Sequence, residues 1–256
     1  MVPAERRKII VELVDQHNSV SVGELCERFD VSEMTIRRDL RVLSGEGLIQ
    51  RVHGGAVARR GRSYEPPYRI REAENTEYKY AIAKEAFKLI VEGDSLALDV
   101  GTTTLALAKM LVDVPNLTVI TTSLYIVNVL SETPNLRIIV SGGILRDQEK
   151  SMVGNVAERI FSDFHVDKAF IGSAGVDLEK GMTEYNLEDA LVKKAILANS
   201  EKNIFLADST KLGRTVFSQV AHLSVADVLI TDWDAPQRII DELRKQGVEV
   251  IVASRD

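Results

Sequence analysis

Residues with small polar side chains follow several apolar runs of this sequence, and their chemistry suits the binding of a phosphate group. The segment from Asp99 to Thr104 reads Asp-Val-Gly-Thr-Thr-Thr and joins an apolar run to a helical pattern. Its glycine allows a ligand to approach the backbone closely, its hydroxyl groups can donate hydrogen bonds, and the first amides of a helix favour an anion. An ordinary helix start is the alternative interpretation, since the GxxxxGK and GxGxxG patterns of nucleotide-binding loops are both missing.

The same combination of small and hydroxylated residues recurs after four further apolar runs. These segments are residues 121–123 (TTS), 141–143 (SGG), 172–175 (GSAG) and 208–211 (DSTK). The last of them adds the cation of Lys211. Several converging polar segments with one lysine among them predict a site for a small phosphorylated ligand.

An alternation of strand-like and helical segments must position these polar residues. Seven apolar runs are typical of strands: residues 95–100, 117–121, 136–140, 168–171, 203–207, 228–231 and 248–252. Helical patterns lie between most of them: residues 79–91, 105–111, 124–131, 156–163, 188–200 and 236–246. Strands buried on both faces and connected by helices predict an α/β domain with a doubly wound, mostly parallel sheet. Ligands of such sheets lie beyond the carboxyl ends of the strands.

A second group of residues has the chemistry of a DNA-binding helix. Ser32 suits an N-cap, and a helix from Glu33 to about Ser44 would turn an apolar face towards a core, consisting of Ile36, Leu40 and Leu43. The opposite face has Arg38 at its centre, flanked by Met34, Thr35, Arg37 and Arg41. Three arginines on one exposed face are typical of a recognition helix in the major groove. A solvated charged face is the alternative, and Glu33 could pair with Arg37 and hold it away from DNA.

The residues around this helix predict a winged helix-turn-helix. An apolar stripe indicates a first helix over Glu5–Gln16, and Ser21 with Glu24 forms a capping box for a short second helix. Two short helices separated by a tight turn are typical of helix-turn-helix. The segment Leu48–Val57 contains a Gly-Gly pair and predicts a β-hairpin wing, although two glycines could also begin a flexible linker.

Charge is distributed unevenly along the chain. The net charge of the whole sequence is −6, but residues 1–72 carry 13 Lys or Arg and 11 Asp or Glu, whereas residues 73–256 carry 19 and 27. The stretch from Arg51 to Arg71 contains six arginines and one acid. Because salt screens charges beyond about 10 Å, this local basic charge governs phosphate contact.

Adjacent Pro66 and Pro67 predict a stiff connector, which divides the chain into a domain at residues 1–57, a linker at 58–75 and a domain at 76–256.

Composition excludes several classes of protein. A chain of 256 residues with 45% hydrophobic content can bury a core, and no apolar run approaches the roughly 20 residues that span a bilayer. The N-terminus has no apolar signal core. Cys26 is the single cysteine, and the four histidines are scattered without metal-ligand spacing. We therefore expect a cytoplasmic protein with no metal, no cofactor and no membrane partner.

The sequence resembles a known family over nearly its whole length, from about Glu5 to Val252. The run Val31–Leu40, which contains Thr-Ile-Arg-Arg-Asp-Leu, and the run Arg51–Ala56 are similar to the DNA-binding signature of the DeoR family of bacterial sugar-metabolism repressors. The resemblance implies a winged helix-turn-helix followed by a phosphosugar-sensing domain related to ribose-5-phosphate isomerase. It departs from the family at Thr122, where asparagine is common.

These patterns and the resemblance together assign two sets of site residues. The residues predicted to contact DNA are Ser32, Met34, Thr35, Arg37, Arg38, Arg41, Arg51, His53 and Gly54. The residues predicted to bind the effector are Asp99, Gly101, Thr102, Thr103, Thr104, Ser123, Ser141, Gly142, Gly143, Gly172, Asp177, Glu188 and Lys211.

Two functions are compatible with these assignments. The first is a repressor of a carbohydrate-catabolism operon, which binds double-stranded operator DNA under the control of a phosphorylated sugar. The second is an active sugar-phosphate isomerase with a DNA-binding appendage. Ala174 stands where the isomerase relatives have the first acid of an aspartate pair. This favours binding without turnover and no catalytic residues. Because one short basic helix rarely gives repressor-level affinity, we also expect a homodimer or homotetramer.

Overall fold

The structure, a computed structural model, describes residues 1–17, 19–58 and 61–255. Arg59 and Arg60 of the predicted linker and Asp256 of the predicted second domain lie outside the described residues. The chain forms two compact units, unit 1 at Met1–Pro67 and unit 2 at Tyr68–Asp256.

Unit 1 contains the three helices and the hairpin that the sequence predicts. Its helices are α1 (Pro3–His17), α2 (Val22–Phe29) and α3 (Glu33–Gly45), and its strands are β1 (Ser19–Ser21), β2 (Ile49–Val52) and β3 (Gly55–Ala58). The strands form an antiparallel sheet in the order β1-β3-β2. The predicted capping box is confirmed, because the Ser21 side chain accepts from the Glu24 amide at 3.1 Å and the Glu24 carboxylate accepts from the Ser21 amide at 2.7 Å. Strand β1 was not predicted, since three residues give too short a pattern.

The two adjacent glycines of the wing have different roles. His53 and Gly54 form the turn between β2 and β3, and Gly54 has a φ of 87°, which suits glycine. Gly55 belongs to β3, and a Cβ there would lie 2.1 Å from the carbonyl oxygen of Val20. The hairpin therefore has one glycine in its turn and one at the contact between β3 and β1, rather than the Gly-Gly turn that the sequence suggested.

Unit 2 is an α/β unit. Its helices are α4 (Tyr68–Ala73), α5 (Thr76–Phe87), α6 (Thr102–Ala108), α7 (Leu124–Leu130), α8 (Asn155–Ser162), α9 (Leu187–Ala198) and α10 (Gln237–Lys245). Its strands are β4 (Ser95–Leu98), β5 (Thr118–Thr121), β6 (Arg137–Val140), β7 (Ile144–Arg146), β8 (Ser151–Val153), β9 (Val166–Gly172), β10 (Gly175–Asp177), β11 (Gly181–Glu184), β12 (Ser200–Leu206), β13 (Ser218–Ala221), β14 (Val228–Thr231) and β15 (Glu249–Val252).

The seven predicted strands of unit 2 form its central sheet. The strand order is β15-β14-β12-β9-β4-β5-β6, and every neighbouring pair is parallel. After β4, strands β5 and β6 are added towards one edge of the sheet, and after β9, strands β12, β14 and β15 are added towards the other edge. The order therefore reverses between β4 and β9, which is where ligands of doubly wound sheets bind. Two small antiparallel sheets, β10-β11-β13 and β7-β8, complete the unit.

Both faces of the central sheet are covered, as a doubly wound fold requires. Phe170 of β9 is buried in one core with residues of α5, α6 and α7. Its neighbours Ala169 and Ile171 are buried in a second core with residues of α8, α9 and α10. Successive strand residues face opposite sides of a sheet, so one apolar run fills both cores. This explains why the strands appear as continuous apolar runs in the sequence.

The predicted linker, residues 58–75, contains part of each unit. Ala58 is the last residue of β3, and α4 occupies Tyr68–Ala73. Tyr68 is 2% exposed and its ring stacks on Tyr125 at 4.3 Å between centroids. This helix was not predicted, because one buried tyrosine in a polar segment is not distinguishable from a linker residue by composition. No helix in the described ranges is long and apolar enough to cross a membrane.

Candidate functional site

The first candidate site is the outward surface of α3. Ile36, Leu40 and Leu43 are all at most 2% exposed, which confirms the predicted core-facing side of this helix. Met34 is 80% exposed, and Arg38 and Arg41 are exposed on the other side. The helix therefore presents a basic surface with an apolar residue in it, which is the chemistry that reads base edges and phosphates.

The beginning of α3 is occupied by contacts among its own side chains. The Ser32 hydroxyl accepts from the Thr35 amide at 3.3 Å, and the two hydroxyl groups lie 3.0 Å apart. Arg37 donates from Nε to the Glu33 carboxylate at 2.7 Å, so the predicted pair is present. Ser32 and Thr35 thus stabilise the helix start, and Arg37 is partly neutralised, whereas Arg38 lies at the centre of the basic surface.

The wing adds a second exposed basic segment to unit 1. Arg51 lies in β2, and His53 and Gly54 form the adjoining turn. All three residues are exposed. The structure therefore presents every predicted DNA-contact residue on the surface of unit 1 except Thr35, which is half-buried.

A buried ion pair that was not predicted from the sequence fixes α3 against α1. Asp39 is 2% exposed, and its two carboxylate oxygens accept from Nε of Arg6 at 2.7 Å and from Nε of Arg7 at 2.8 Å. The signal was present in the sequence, because Asp39 lies on the same side of the helix as Ile36 and Leu40. An acid on an otherwise apolar face indicates a buried partner.

The second candidate site is a pocket in unit 2 at the carboxyl ends of β4, β9 and β12. It lies at the point where the strand order reverses. Five of the predicted effector residues line it: Gly101, Thr102, Thr103, Gly172 and Lys211. Further polar or charged lining residues are outside the predicted set of effector residues, although Ser173 and Asp208 belong to the predicted polar segments: Arg71, Glu74, Asn75, Lys79, Ser173, Glu184, Tyr185, Lys193 and Asp208.

A buried charge cluster forms the floor of this pocket. Lys193 is 1% exposed; it donates to the Asp99 carboxylate and to the Gly172 carbonyl at 2.9 Å, and it lies 3.3 Å from the Glu184 carboxylate. Asp99 also accepts from the Gly172 amide at 3.0 Å. Two carboxyl groups thus share one ammonium group. Asp99 does not itself line the pocket but holds Lys193 in place.

The pKa values of the cluster follow from its burial and composition. The pKa of Asp99 is raised to about 6, mainly by burial and in part by the Glu184 carboxylate, against the lowering effects of Lys193 and the Gly172 amide. Burial by itself lowers the pKa of Lys193, but the Asp99 and Glu184 carboxylates raise it above its ordinary value. Lys193 is therefore a fixed cation, and the cluster as a whole is a poor place for a phosphate group.

Three other cations converge elsewhere in the pocket. Burial lowers the pKa of Lys79 against the raising effect of the Asp208 and Glu74 carboxylates, and the nearby charges of Lys211 and Arg71 also lower it. Lys211 lies 4.0 Å from the Asp208 carboxylate. Arg71, Lys79 and Lys211 line the pocket together with Thr102 and Thr103. Glu74 and Asp208 also line the pocket and act on Lys79, but the three cations outnumber these two acids, which suits an anion.

The remaining predicted effector residues are not in the pocket lining, and most of them stabilise local backbone. Thr104 donates to the Gly101 carbonyl at 2.9 Å, and the Ser123 side chain accepts from the Ile126 amide at 3.4 Å at the start of α7. Asp177 accepts from two amides of the turn between β10 and β11. Glu188 is exposed in the first turn of α9.

Ser141, Gly142 and Gly143 lie at the end of β6, which is the edge strand of the sheet and is separated from β9 by β5 and β4. Ser141 donates to the Gly142 carbonyl at 3.1 Å. A Cβ on Gly143 would lie 2.6 Å from the Val153 carbonyl oxygen, and its φ is 115°. These glycines therefore serve the connection to the β7-β8 hairpin. Across the described parts of the chain, no group of three or more His, Cys, Asp or Glu is arranged to hold a metal ion.

Known protein families and relatives match both units of this chain. The model of the DeoR-like helix-turn-helix domain matches residues 6–60, and that of the DeoR C terminal sensor domain matches residues 74–233. The uncharacterized HTH-type transcriptional regulator YulB of Bacillus subtilis is 40% identical over 250 residues, which cover 98% of this chain and 96% of the relative. The glycerol-3-phosphate regulon repressor of Escherichia coli is 34% identical over 250 residues, covering 98% and 99%. Among solved structures, ribose 5-phosphate isomerase A of Methanocaldococcus jannaschii aligns with a TM-score of 0.41 and 19% identity, over 54% of this chain and 55% of that chain.

Proposed function

Because this chain belongs to the DeoR family of transcriptional regulators rather than to a family of enzymes, we propose that it is a repressor whose affinity for operator DNA is set by a phosphorylated sugar. Unit 1 binds the DNA, and the pocket of unit 2 binds the effector. One relative is named the glycerol-3-phosphate regulon repressor, which supports both repression and a link to a phosphorylated carbohydrate. The target is an operon of carbohydrate catabolism.

The exposed surface of α3 supports the DNA-binding part of this proposal. Arg38 and Arg41 read base edges in the major groove, and Met34 contacts them with its apolar side chain. Arg51 and His53 of the wing contact the DNA backbone. Arg37 contributes less, because its guanidinium is already paired with Glu33.

The observation that carries the effector part is the convergence of Arg71, Lys79 and Lys211 in one pocket with the Thr102 and Thr103 hydroxyls. Charge-assisted hydrogen bonds to a phosphate contribute about 1.5–3 kcal/mol each. The phosphate group of the effector lies among these cations.

The charge cluster of Asp99, Glu184 and Lys193 orients the other end of the effector. With both carboxyl groups ionised the cluster has a net negative charge, which repels a phosphate group. The Glu184 carboxylate and the Ser173 hydroxyl line the pocket and can exchange hydrogen bonds with sugar hydroxyls. The effector is therefore bound with its phosphate at the cations and its hydroxyl groups towards Glu184.

Thermal unfolding of the full chain with matched pairs of ligands tests this proposal. We expect a sugar phosphate such as D-ribose 5-phosphate or glycerol 3-phosphate to raise the unfolding temperature, and unphosphorylated ribose or glycerol to leave it unchanged. A ligand at about 100 times its dissociation constant stabilises the folded state by about 2.7 kcal/mol. Gel shifts on a duplex that the chain selects from a random pool then measure whether the same ligand weakens DNA binding. If phosphorylated and unphosphorylated sugars act equally, the proposal fails.

A further inference from the structure

Helix α4 is the first element of unit 2 and begins directly after Pro67, the last residue of unit 1. It has six residues, and helices of this length are not stable by themselves in water. Its position therefore depends on its contacts with the rest of unit 2. Tyr68 holds its beginning through the stacking on Tyr125. The other end is held by two cations that also line the pocket.

Lys79 holds the end of α4 through the backbone. Its ammonium group donates to the carbonyl oxygens of Arg71 and Glu74. The last carbonyl groups of a helix have no partner within the helix, so this lysine satisfies groups that would otherwise lack one. Lys79 is 7% exposed and lines the pocket. The same ammonium group is thus within reach of a bound anion.

Arg71 holds the end of α4 through its side chain. It forms an ion pair with Glu149, which is 3% exposed and lies between β7 and β8. Arg71 lines the pocket, whereas Glu149 is not part of the lining. Arg71 therefore pairs with a fixed carboxylate and also lines the space where an anion would bind.

We propose that Arg71 and Lys79 couple the occupancy of the pocket to the position of α4, with Glu149 as a positioning residue. A bound anion competes with Glu149 for the guanidinium of Arg71, and with the two carbonyl oxygens for the ammonium of Lys79. The end of α4 is then held less tightly. Because the chain continues from α4 into unit 1, the loosened segment is the one through which unit 2 is connected to the DNA-binding unit. This inference rests on the proposed binding of an anion in the pocket.

Hydrogen–deuterium exchange of the full chain tests this coupling, and the first arm uses no ligand. The Glu74 amide donates to the Ile70 carbonyl at 3.0 Å, so its exchange rate reports the end of α4.

Glu149→Gln removes the charge that holds Arg71, and we expect about tenfold faster exchange over residues 69–75, which corresponds to about 1.4 kcal/mol. Glu72→Gln is the matched control, since Glu72 is an acid of the same helix that lies on the surface, 3.8 Å from Lys109. It should exchange like the wild type. Should Glu149→Gln unfold the protein, Glu149→Asp keeps the charge, shortens the side chain and should show the same faster exchange.

The second arm adds inorganic phosphate and measures its binding by calorimetry alongside exchange. We expect bound phosphate to accelerate exchange over residues 69–75 in the wild type and to have little further effect in Glu149→Gln. Phosphate that binds without changing this exchange would overturn the coupling and leave the proposed effector site intact. Absence of phosphate binding would count against the effector site itself. In that case the ligand-free arm still decides whether Glu149 holds α4, and equal exchange in Glu149→Gln and Glu72→Gln would overturn it.

Discussion

The carboxylate of Asp39 on α3 accepts a hydrogen bond from Nε of Arg6 on α1 at 2.7 Å, and both side chains are almost fully buried. The other oxygen of this carboxylate accepts a second bond, from Nε of Arg7. Asp39 lies one residue from Arg38, the centre of the exposed basic surface. The orientation of the surface that we assign to DNA is therefore set by an ion pair on the buried side of the same helix.

Replacing Asp39 with asparagine should destabilise unit 1 and weaken DNA binding, although Asp39 is buried away from the DNA-binding surface. Removing one partner of a buried ion pair costs about 3–5 kcal/mol, because the remaining charge is left uncompensated. Urea unfolding followed by circular dichroism measures the loss. Trp233, the single tryptophan, reports unit 2 and should show an unchanged midpoint.

Glu33→Gln is the control for this substitution, because Glu33 is an exposed acid on the same helix. It should leave the free energy of unfolding within about 0.5 kcal/mol of the wild type. Equal stability of the Asp39→Asn and Glu33→Gln variants would contradict a structural role for the buried pair.

Arg38→Ala should weaken binding to a selected duplex by about 1–3 kcal/mol if Arg38 reads a guanine. Arg37→Ala should cost less, since Glu33 already compensates Arg37. Gel shifts on the selected duplex and on a random duplex measure both effects. Equal losses on the two duplexes would indicate a phosphate contact for Arg38, and no loss on either would refute the recognition surface.

Lys211→Ala should reduce the affinity of the effector at least about tenfold and leave DNA binding unchanged, because one charge-assisted bond to phosphate is lost. Thr103→Ala should act in the same direction, since Thr103 also lines the cationic part of the pocket. Lys194 is an exposed lysine on α9 outside the pocket lining, and Lys194→Ala is the matched control. Calorimetry measures the effector affinity of each variant, with the sugar phosphate that thermal unfolding identifies as the ligand. An effector affinity that is the same in all three variants would place the ligand elsewhere.

The main sheet could be predicted from the sequence because its strands are buried on both faces. A run such as Asn203–Ala207 then appears as consecutive apolar residues between polar segments. Strands β10, β11 and β13 belong to a small antiparallel sheet and have three or four residues each, so they give no comparable run. Helix α4 is stabilised by a ring stacked from residue 125, and such a contact leaves no local signal.

The pocket was predicted only in part, for two physical reasons. Carboxyl ends of parallel strands share one edge of a sheet, but the pocket lies beside the reversal of strand order, and Ser141 at the end of the edge strand does not line it. Lys193 lies within an apolar helix, and the second lysine beside it, Lys194, is exposed. Only the contact with Asp99, 94 residues away in the chain, distinguishes the buried lysine from the solvated one.

The contribution of Asp99 to the stability of unit 2 should fall as the pH rises from about 4 to about 6. The pKa of Asp99 is raised to about 6 in the folded state by burial, above its ordinary value of 3.8. The folded state then binds the proton more tightly than the unfolded chain, so this contribution is present below pH 4 and is lost as the pH passes through 6. Urea unfolding followed by Trp233 fluorescence should show this slope in the wild type and not in Asp99→Asn. Parallel pH profiles for the two proteins would contradict the raised pKa.

The boundary between the two units, after Pro67, is where the chain should be divided to test its assembly. Tyr68 is buried in unit 2, so a fragment that contains this unit must begin at residue 68. One winged helix-turn-helix presents a single basic surface, and two copies on adjacent half-sites gain affinity through their effective concentration. Unit 2 is the larger unit and is the better candidate for the contact between copies.

We expect residues 68–256 to remain dimeric or tetrameric and to bind the sugar phosphate. Residues 1–67 should be monomeric and bind DNA far more weakly than the full chain. Light scattering on both fragments decides the matter, and a monomeric unit 2 at tens of micromolar would refute this placement of the interface.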